Sequence, residues 1–199
     1  MNATDTQAMT AMRRRILDAA TEAFRLAGYN GATMVRVAAL AGVTYAQLHA
    51  EFPNKEALLH EVLDRGGAGD DDLPDPDSVQ DPCRALEAMV GLVDYNTAHR
   101  SAVELFTVLV GEAATNPEHP AHGYFAERYR QRLDVVTRTY RRAHDAGVLR
   151  PGCDPATAAG ELLALIDGLR TQWLLLGSAV DMGAVVRAHL SRQLVEPHA

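Results

Sequence analysis

Cysteine is nearly missing from this 199-residue chain: Cys83 and Cys153 stand far apart, with no CxxC pair and no Cys/His spacing suited to a metal. The two read as reduced thiols rather than a disulfide or a zinc set. Long apolar runs are missing too, since no stretch approaches the ~18–20 residues that cross a bilayer. Met1 to Thr10 is polar and lacks the apolar segment of a signal peptide. A cytoplasmic protein without a membrane contact is expected. Nothing alternates as a strand does, and there are no internal repeats. No nucleophile stands with its base, no Gly-rich loop is shaped for phosphate, and no carboxylate–His set would hold a metal, so neither an enzyme nor a cofactor is expected. His119, His122 and Tyr124 gather near Pro117 and Pro120. The spacing His119-x-x-His122 spans a Pro-broken turn without a third ligand, so loop and helix-cap roles are expected there and no metal.

Positive charge is also in short supply. The net charge of −7 argues against a protein that coats nucleic acid indiscriminately. Its distribution says more than the total. Residues 1–65 hold seven Lys/Arg and seven Asp/Glu, residues 66–82 hold six Asp and no cation, and residues 83–199 hold twelve cations and thirteen acids. Within residues 1–50 the balance is +2, with Arg13, Arg14 and Arg15 adjacent. That is a weak basic footprint, and composition alone does not establish DNA binding.

What the chain does have is apolar residues, 47% of the total and enough for a sizeable core, recurring at helical spacing almost everywhere. Gly, Pro and Asn fall where helices should stop. An all-α protein is expected, in three parts. Residues 1–65 form a helical head, with 1–12 a flexible arm. Residues 66–82, Gly66 to Pro82, form an Asp/Pro/Gly linker too polar to order itself well. Residues 83–199 form a body of longer helices, broken at His99–Arg100, Asn116–Pro120, Gly147–Pro155 and Gly177–Asp181.

Four short helices are expected in the head. Ile16, Leu17, Ala20, Phe24 and Ala27 share one face of the first, which Gly28 stops. Thr33 caps a second helix from Met34 to Ala41, ended by Gly42. Thr44 caps the third, where Thr44-x-x-Gln47 has the form of a capping box. Asn54 caps the fourth, whose inner side carries Leu58, Leu59, Val62 and Leu63. The second and third helices meet through Ala41-Gly42-Val43, a Gly-containing turn short enough for a helix-turn-helix. Ala38 is small where the helices approach, and Val43 and Leu48 face inward. The exposed side of the third helix then presents Tyr45, Ala46, Gln47 and His49, placed to meet base edges if its N-terminus enters the major groove.

The stretch from Arg14 to Leu63 resembles the TetR family signature. The matching elements are Ile16-Leu17-x-Ala19-Ala20, Phe24, Gly28-Tyr29, Ala32-Thr33-Met34, Val37-Ala38, Ala41-Gly42-Val43-Thr44, Leu48, Phe52-Pro53-Asn54-Lys55-Glu56 and Leu58-Leu59. By that resemblance Thr33 is a phosphate-contacting hydroxyl, and Thr44, Tyr45 and Gln47 form the first turn of the recognition helix. Lys55 is the lysine that clamps a phosphate, at a helix N-terminus suited to an anion. Thr33 and Thr44 cap helices with or without DNA, and Gln47 could be spent on its capping box. The chain departs from the pattern twice. His49 stands where Tyr is usual and can still donate a hydrogen bond. Glu51 stands where His or Tyr is frequent, so its carboxylate either turns away from the DNA backbone or weakens the grip.

Beyond the linker, Ala146-Gly147-Val148-Leu149-Arg150-Pro151 and Asp154-Pro155 carry a looser resemblance. The helix that follows, from Ala156 to Leu176, bears Leu162, Leu163, Leu165, Ile166, Leu169, Trp173, Leu174 and Leu176 on more than one face, and so needs cover on both sides. An intramolecular core plus a partner subunit would supply it; a simple central core helix is the alternative. The resemblance implies a homodimer through helices 156–176 and 182–195 and a palindromic operator in double-stranded DNA. It also implies a small apolar ligand in the body, for which Tyr95, His99, Glu104, Phe106, Thr107 and Trp173 are candidate lining groups. A repressor released from its operator by such an effector is the leading reading. A regulator controlled by its abundance or by a protein partner is the other.

Phosphate neutralisation supplies much of DNA affinity, so a neutral head limits the number of contacts. Operator affinity, measured against salt concentration, is expected to fall steeply but with a slope of fewer than about ten released ions.

Overall fold

The computed structural model describes residues 3–66 and 79–195, and every regular element among them is helical. In chain order these are α1 (Ala3–Gly31), α2 (Met34–Ala41), α3 (Tyr45–Glu51), α4 (Lys55–Gly66), α5 (Pro82–Ala98), α6 (Arg100–Thr115), α7 (His122–Asp145), α8 (Pro155–Leu176) and α9 (Met182–Gln193), with a 3₁₀ turn at Gly177–Ala179 before α9. The helix ends fall where the caps place them. Thr33 accepts a hydrogen bond from the Arg36 N–H, Asp154 from Thr157 and Asp181 from Ala184. Gly42 takes the left-handed conformation (φ 62°) that a turn after α2 requires, and no side chain adopts it as cheaply.

Three expectations change. Residues 3–12 continue α1 instead of forming a flexible arm, since no Gly or Pro interrupts them. The linker's central residues 67–78 lie outside the described residues, while its ends join the helices: Gly66 closes α4, and Asp81 caps α5 by accepting from the Cys83 N–H at 2.9 Å. The last helix stops at Gln193, not Val195, because Leu194 pairs antiparallel with Leu149. The Arg150 N–H donates to the Gln193 carbonyl and the Val195 N–H to the Val148 carbonyl, each at 2.9 Å.

The described residues divide into two compact units, 3–66 with 104–125, and 79–103 with 126–195. In this division residues 104–125 join the four helices of the head. Ile16, Phe24, Leu48, Leu58 and Leu59 are fully buried, and Leu105, Leu109, Ala113, Ala121 and Phe125 complete the same apolar cluster. Four short helices alone would leave that surface wet. In the second unit a separate cluster joins Leu86, Met89 and Val93 of α5 to Val136 and Tyr140 of α7, Leu162 and Leu169 of α8, and Val186 and Leu190 of α9.

The first unit turns on one corner. At Gly28 the backbone leaves helical geometry (φ 67°, ψ 179°), a region essentially reserved for glycine. The Glu112 carboxylate of α6 lies against this glycine, where a Cβ would collide with it. It accepts the Tyr29 N–H at 2.6 Å and lies 3.4 Å from the Asn30 side-chain nitrogen. His119, almost fully buried, places Nε2 3.6 Å from the same carboxylate and meets the Tyr29 ring edge-on at 5.0 Å. Burial pushes the His119 pKa down, against the pull of Glu112.

Gly28→Ala is expected to destabilise the protein by at least about 1–3 kcal/mol through backbone strain alone, read as a lower urea midpoint. At Gly91, mid-helix in α5, an added Cβ would meet nothing. Gly91→Ala should therefore hold or gain about 0.5–1 kcal/mol, the ordinary helix preference of alanine.

Candidate nucleic-acid interface

α2 and α3 pack through Val37, Ala38 and Ala41 on one side and Leu48 on the other, all buried. The turn between them is held from within and from without. The Val43 N–H returns to the Ala38 carbonyl at 3.0 Å, and the Arg15 guanidinium donates to the carbonyl of Gly42 at 3.1 Å. A rigid α2–turn–α3 unit results, with the first turn of α3 fully presented.

Thr44, Tyr45, Ala46, Gln47 and His49 are all exposed along that presented side, while Leu48 between them is wholly buried. Tyr45, half its surface open, leans on the His49 ring at 6.0 Å between centroids. The capping box is complete. The Thr44 hydroxyl accepts the Gln47 N–H at 3.2 Å, and Gln47 Oε1 accepts the Thr44 N–H at 2.8 Å. This divides the Gln47 side chain in two: its oxygen is spent on the box, and its NH₂ end takes no part in it. Capping and base contact are thus compatible in one residue. Thr33 is likewise exposed while its hydroxyl accepts the Arg36 N–H at 3.2 Å.

Lys55 sits differently from its expected place on a phosphate. It is the chain's single lysine, and it turns inward. Nζ donates to the carbonyls of Tyr29 at 2.7 Å and Ala32 at 3.1 Å, and lies 4.1 Å over the Tyr29 ring. Burial pushes its pKa down, with Glu112 opposing the shift. Here the ammonium braces the segment that delivers Thr33 to the start of α2. Glu51 has turned away from solvent. It is half-buried beside Phe52 and pairs with Arg13 at 3.3 Å, while the same guanidinium reaches Glu61 at 3.1 Å and covers the Phe52 ring at 4.5 Å. The carboxylate is neutralised from inside the unit, at the cost of withdrawing one of three adjacent arginines. Arg36, passed over in the sequence, stands exposed in the first turn of α2. Its signal was there: it is the one cation inside the short apolar run Met34–Ala41.

The effector candidates scatter. Tyr95 and His99 stack on each other at 3.8 Å on an exposed surface, where the His99 ring nitrogen meets the Tyr95 carbonyl. Glu104 pairs with Arg25, and Phe106 packs edge-on against Phe125, both within the first unit. Thr107 is half-buried beside them in sequence. Trp173, in the second unit, carries the Arg100 guanidinium 5.2 Å over its ring. None of the six lines the partly open pocket of the second unit that lies among α5, α7 and α8. Tyr95 and Trp173 lie on α5 and α8, two of the helices that line it, whereas Glu104, Phe106 and Thr107 lie on α6, which does not. His119 and His122 also have structural work: the His119 ring accepts the Ala121 N–H at 3.1 Å, and the His122 ring lies 2.8 Å from the Ala113 carbonyl.

On α8, Leu162 and Leu169 are buried, Leu163, Leu165, Ile166 and Trp173 are partly covered, and Leu175 and Leu176 are open. No helix among the described residues is long and apolar enough to cross a membrane.

Comparison with known proteins agrees with this architecture. The description "Bacterial regulatory proteins, tetR family" matches residues 16–62, and "BetI-type transcriptional repressor, C-terminal" matches residues 82–195. The transcriptional regulator TtgR of Pseudomonas putida is 28% identical over 184 residues, 85% of this chain and 83% of its own. A regulator from Saccharomonospora viridis, solved in complex with choline, superposes with a TM-score of 0.77 at 25% identity, over 93% of this chain and 98% of that one. SmeT, the repressor of the Stenotrophomonas maltophilia multidrug efflux pump SmeDEF, shares the fold with a TM-score of 0.75 at 23% identity, covering 92% and 91% of the two chains. A helix-turn-helix with α3 presented, followed by a helical body matched along nearly its whole length, places this chain in the TetR family of bacterial DNA-binding transcriptional regulators.

Proposed function

We propose that this regulator is a homodimeric repressor that reads a palindromic operator with α3 and is released by a small molecule bound in its second unit. The observation that carries the DNA half of the reading is the exposed row Tyr45, Gln47 and His49 on a helix whose opposite side, Leu48, is sealed into the core. In this reading the Gln47 NH₂, left over from the capping box, donates to a base acceptor, and Tyr45 contacts the groove wall. Thr33, Thr44 and Arg36 approach phosphates. Lys55 contributes by holding the α1–α2 segment in place, together with the N–H groups that open α4.

Two subunits are needed because one head with so little positive charge grips DNA weakly, while a two-fold pair doubles the contacts and reads both half-sites. The open Leu175 and Leu176 and the half-covered row on α8 support α8 and α9 as the dimer surface. Release by a small molecule is supported by two proteins with the same architecture: the S. viridis regulator was solved with choline, and SmeT with triclosan. In such a device the ligand must favour a state of the body in which the two heads no longer match successive grooves.

Footprinting on the DNA flanking the protein's own gene is the test. A protected palindrome is expected. Gln47→Glu keeps an oxygen for the capping box and deletes the NH₂ donor, so it should preserve thermal stability while weakening specific binding by about 1–3 kcal/mol. Equal binding to all sequences, or an unaltered footprint with both Gln47→Glu and Tyr45→Ala, would overturn the proposed readout.

A further inference from the structure

One member of the exposed row on α3 has its hydrogen-bonding options fixed by its own helix. Gln47 Oε1 accepts the Thr44 N–H at 2.8 Å and the Thr44 hydroxyl at 3.1 Å. A backbone N–H can only donate, so the amide atom facing it is the oxygen. An amide oxygen carries two lone pairs, and Thr44 fills both. The Thr44 hydroxyl accepts the Gln47 N–H at 3.2 Å in return, which closes the box. What Gln47 has left to offer is its NH₂ group, on an exposed side chain and without a hydrogen-bond partner among the described residues. Its neighbours are less committed. A phenol and an imidazole can each donate or accept, so Tyr45 and His49 fit several base edges, and Ala46 presents only a methyl.

A glutamine with both ends free reads adenine, its oxygen accepting from N6 while its NH₂ donates to N7. Here that pair cannot form while the box is closed. To accept from N6, Oε1 would have to release Thr44, leaving the Thr44 N–H without its acceptor and α3 without its capping box. With the box kept, the NH₂ would meet the adenine amino group, donor against donor. Cytosine shows only a donor at this edge, and thymine a single acceptor beside its methyl. Guanine shows two adjacent acceptors, O6 and N7, and no donor.

We infer that Gln47 reads guanine, its NH₂ donating to O6 and N7 in the major groove while its oxygen stays on Thr44. The inference rests on the operator reading above and names the base required at one position of each half-site. The capping box then acts as a filter as well as a cap, because it occupies the acceptor that would admit adenine.

Full-length protein and the protected palindrome test this, with each base pair of the half-site exchanged in turn in both arms and binding measured by competition. At one position per half-site the wild type is expected to prefer guanine to adenine by about fivefold or more. Replacing that guanine by 7-deazaguanine, which lacks the N7 acceptor, should weaken binding by a comparable factor. Gln47→Glu keeps one oxygen for the Thr44 N–H and frees the other, so at the same position it should turn from guanine to cytosine, whose N4 donates. A poorly folded variant would weaken all sequences alike and could not produce that exchange. Adenine, thymine or cytosine preferred by the wild type at that position, 7-deazaguanine bound as tightly as guanine, or a base preference left unchanged by Gln47→Glu would each overturn the guanine assignment. In each of those cases the palindrome is still read and the operator reading stands. Equal binding to all sequences overturns both.

Discussion

Where α1 gives way to α2, the backbone exposes both kinds of polar group inside the first unit, and the placement of the whole α2–turn–α3 element depends on how they are met. Past Gly28 the N–H of Tyr29 has left the helix ladder, and the carbonyls of Tyr29 and Ala32 point inward. An acid from α6 takes the N–H and a lysine from α4 takes the two carbonyls. Glu112 and Lys55 thus divide one corner between them, with the Tyr29 ring packed under the ammonium and the His119 ring against its edge. Buried backbone groups left unpaired would cost a hydrogen bond each and more. The corner fixes where Thr33 stands, Thr33 starts α2, and α2 carries α3. The presented side of α3 is thus positioned by one acid and one lysine, each bound to backbone groups of this corner.

Several cations of this unit are bound within it. Arg13 is occupied by Glu51 and Glu61, Arg25 by Glu22 and Glu104, and Arg65 by Asp18. Lys55 is turned inward. Pairs like these at a surface add little stability, but they remove cations from the pool that could release counterions on DNA. What remains at α3 is uncharged or nearly so: a phenol, an amide and an imidazole. In the proposed complex, such a surface gains little from non-specific phosphate contact and depends on matching a sequence, twice over with two subunits.

The local part of this design was legible in the sequence. Thr33, Thr44, Asn54, Asp154 and Asp181 are caps whose partners lie within three residues, and Gly28, Gly42 and Gly177 mark turns that need positive φ. Anything decided within one or two turns of helix can be read from spacing. What was not legible required a partner far along the chain. The inward turn of Lys55 needs carbonyls 23 and 26 residues away, and the shelter of Glu51 needs Arg13, 38 residues away. The extent of the first unit was hidden for the same reason. Leu105, Leu109 and Ala113 have the ordinary spacing of any amphipathic helix, and nothing in that spacing says which core they enter. The pocket was missed because helical periodicity names faces, not which faces converge: Asn96, Arg132 and Arg170 come together from three helices.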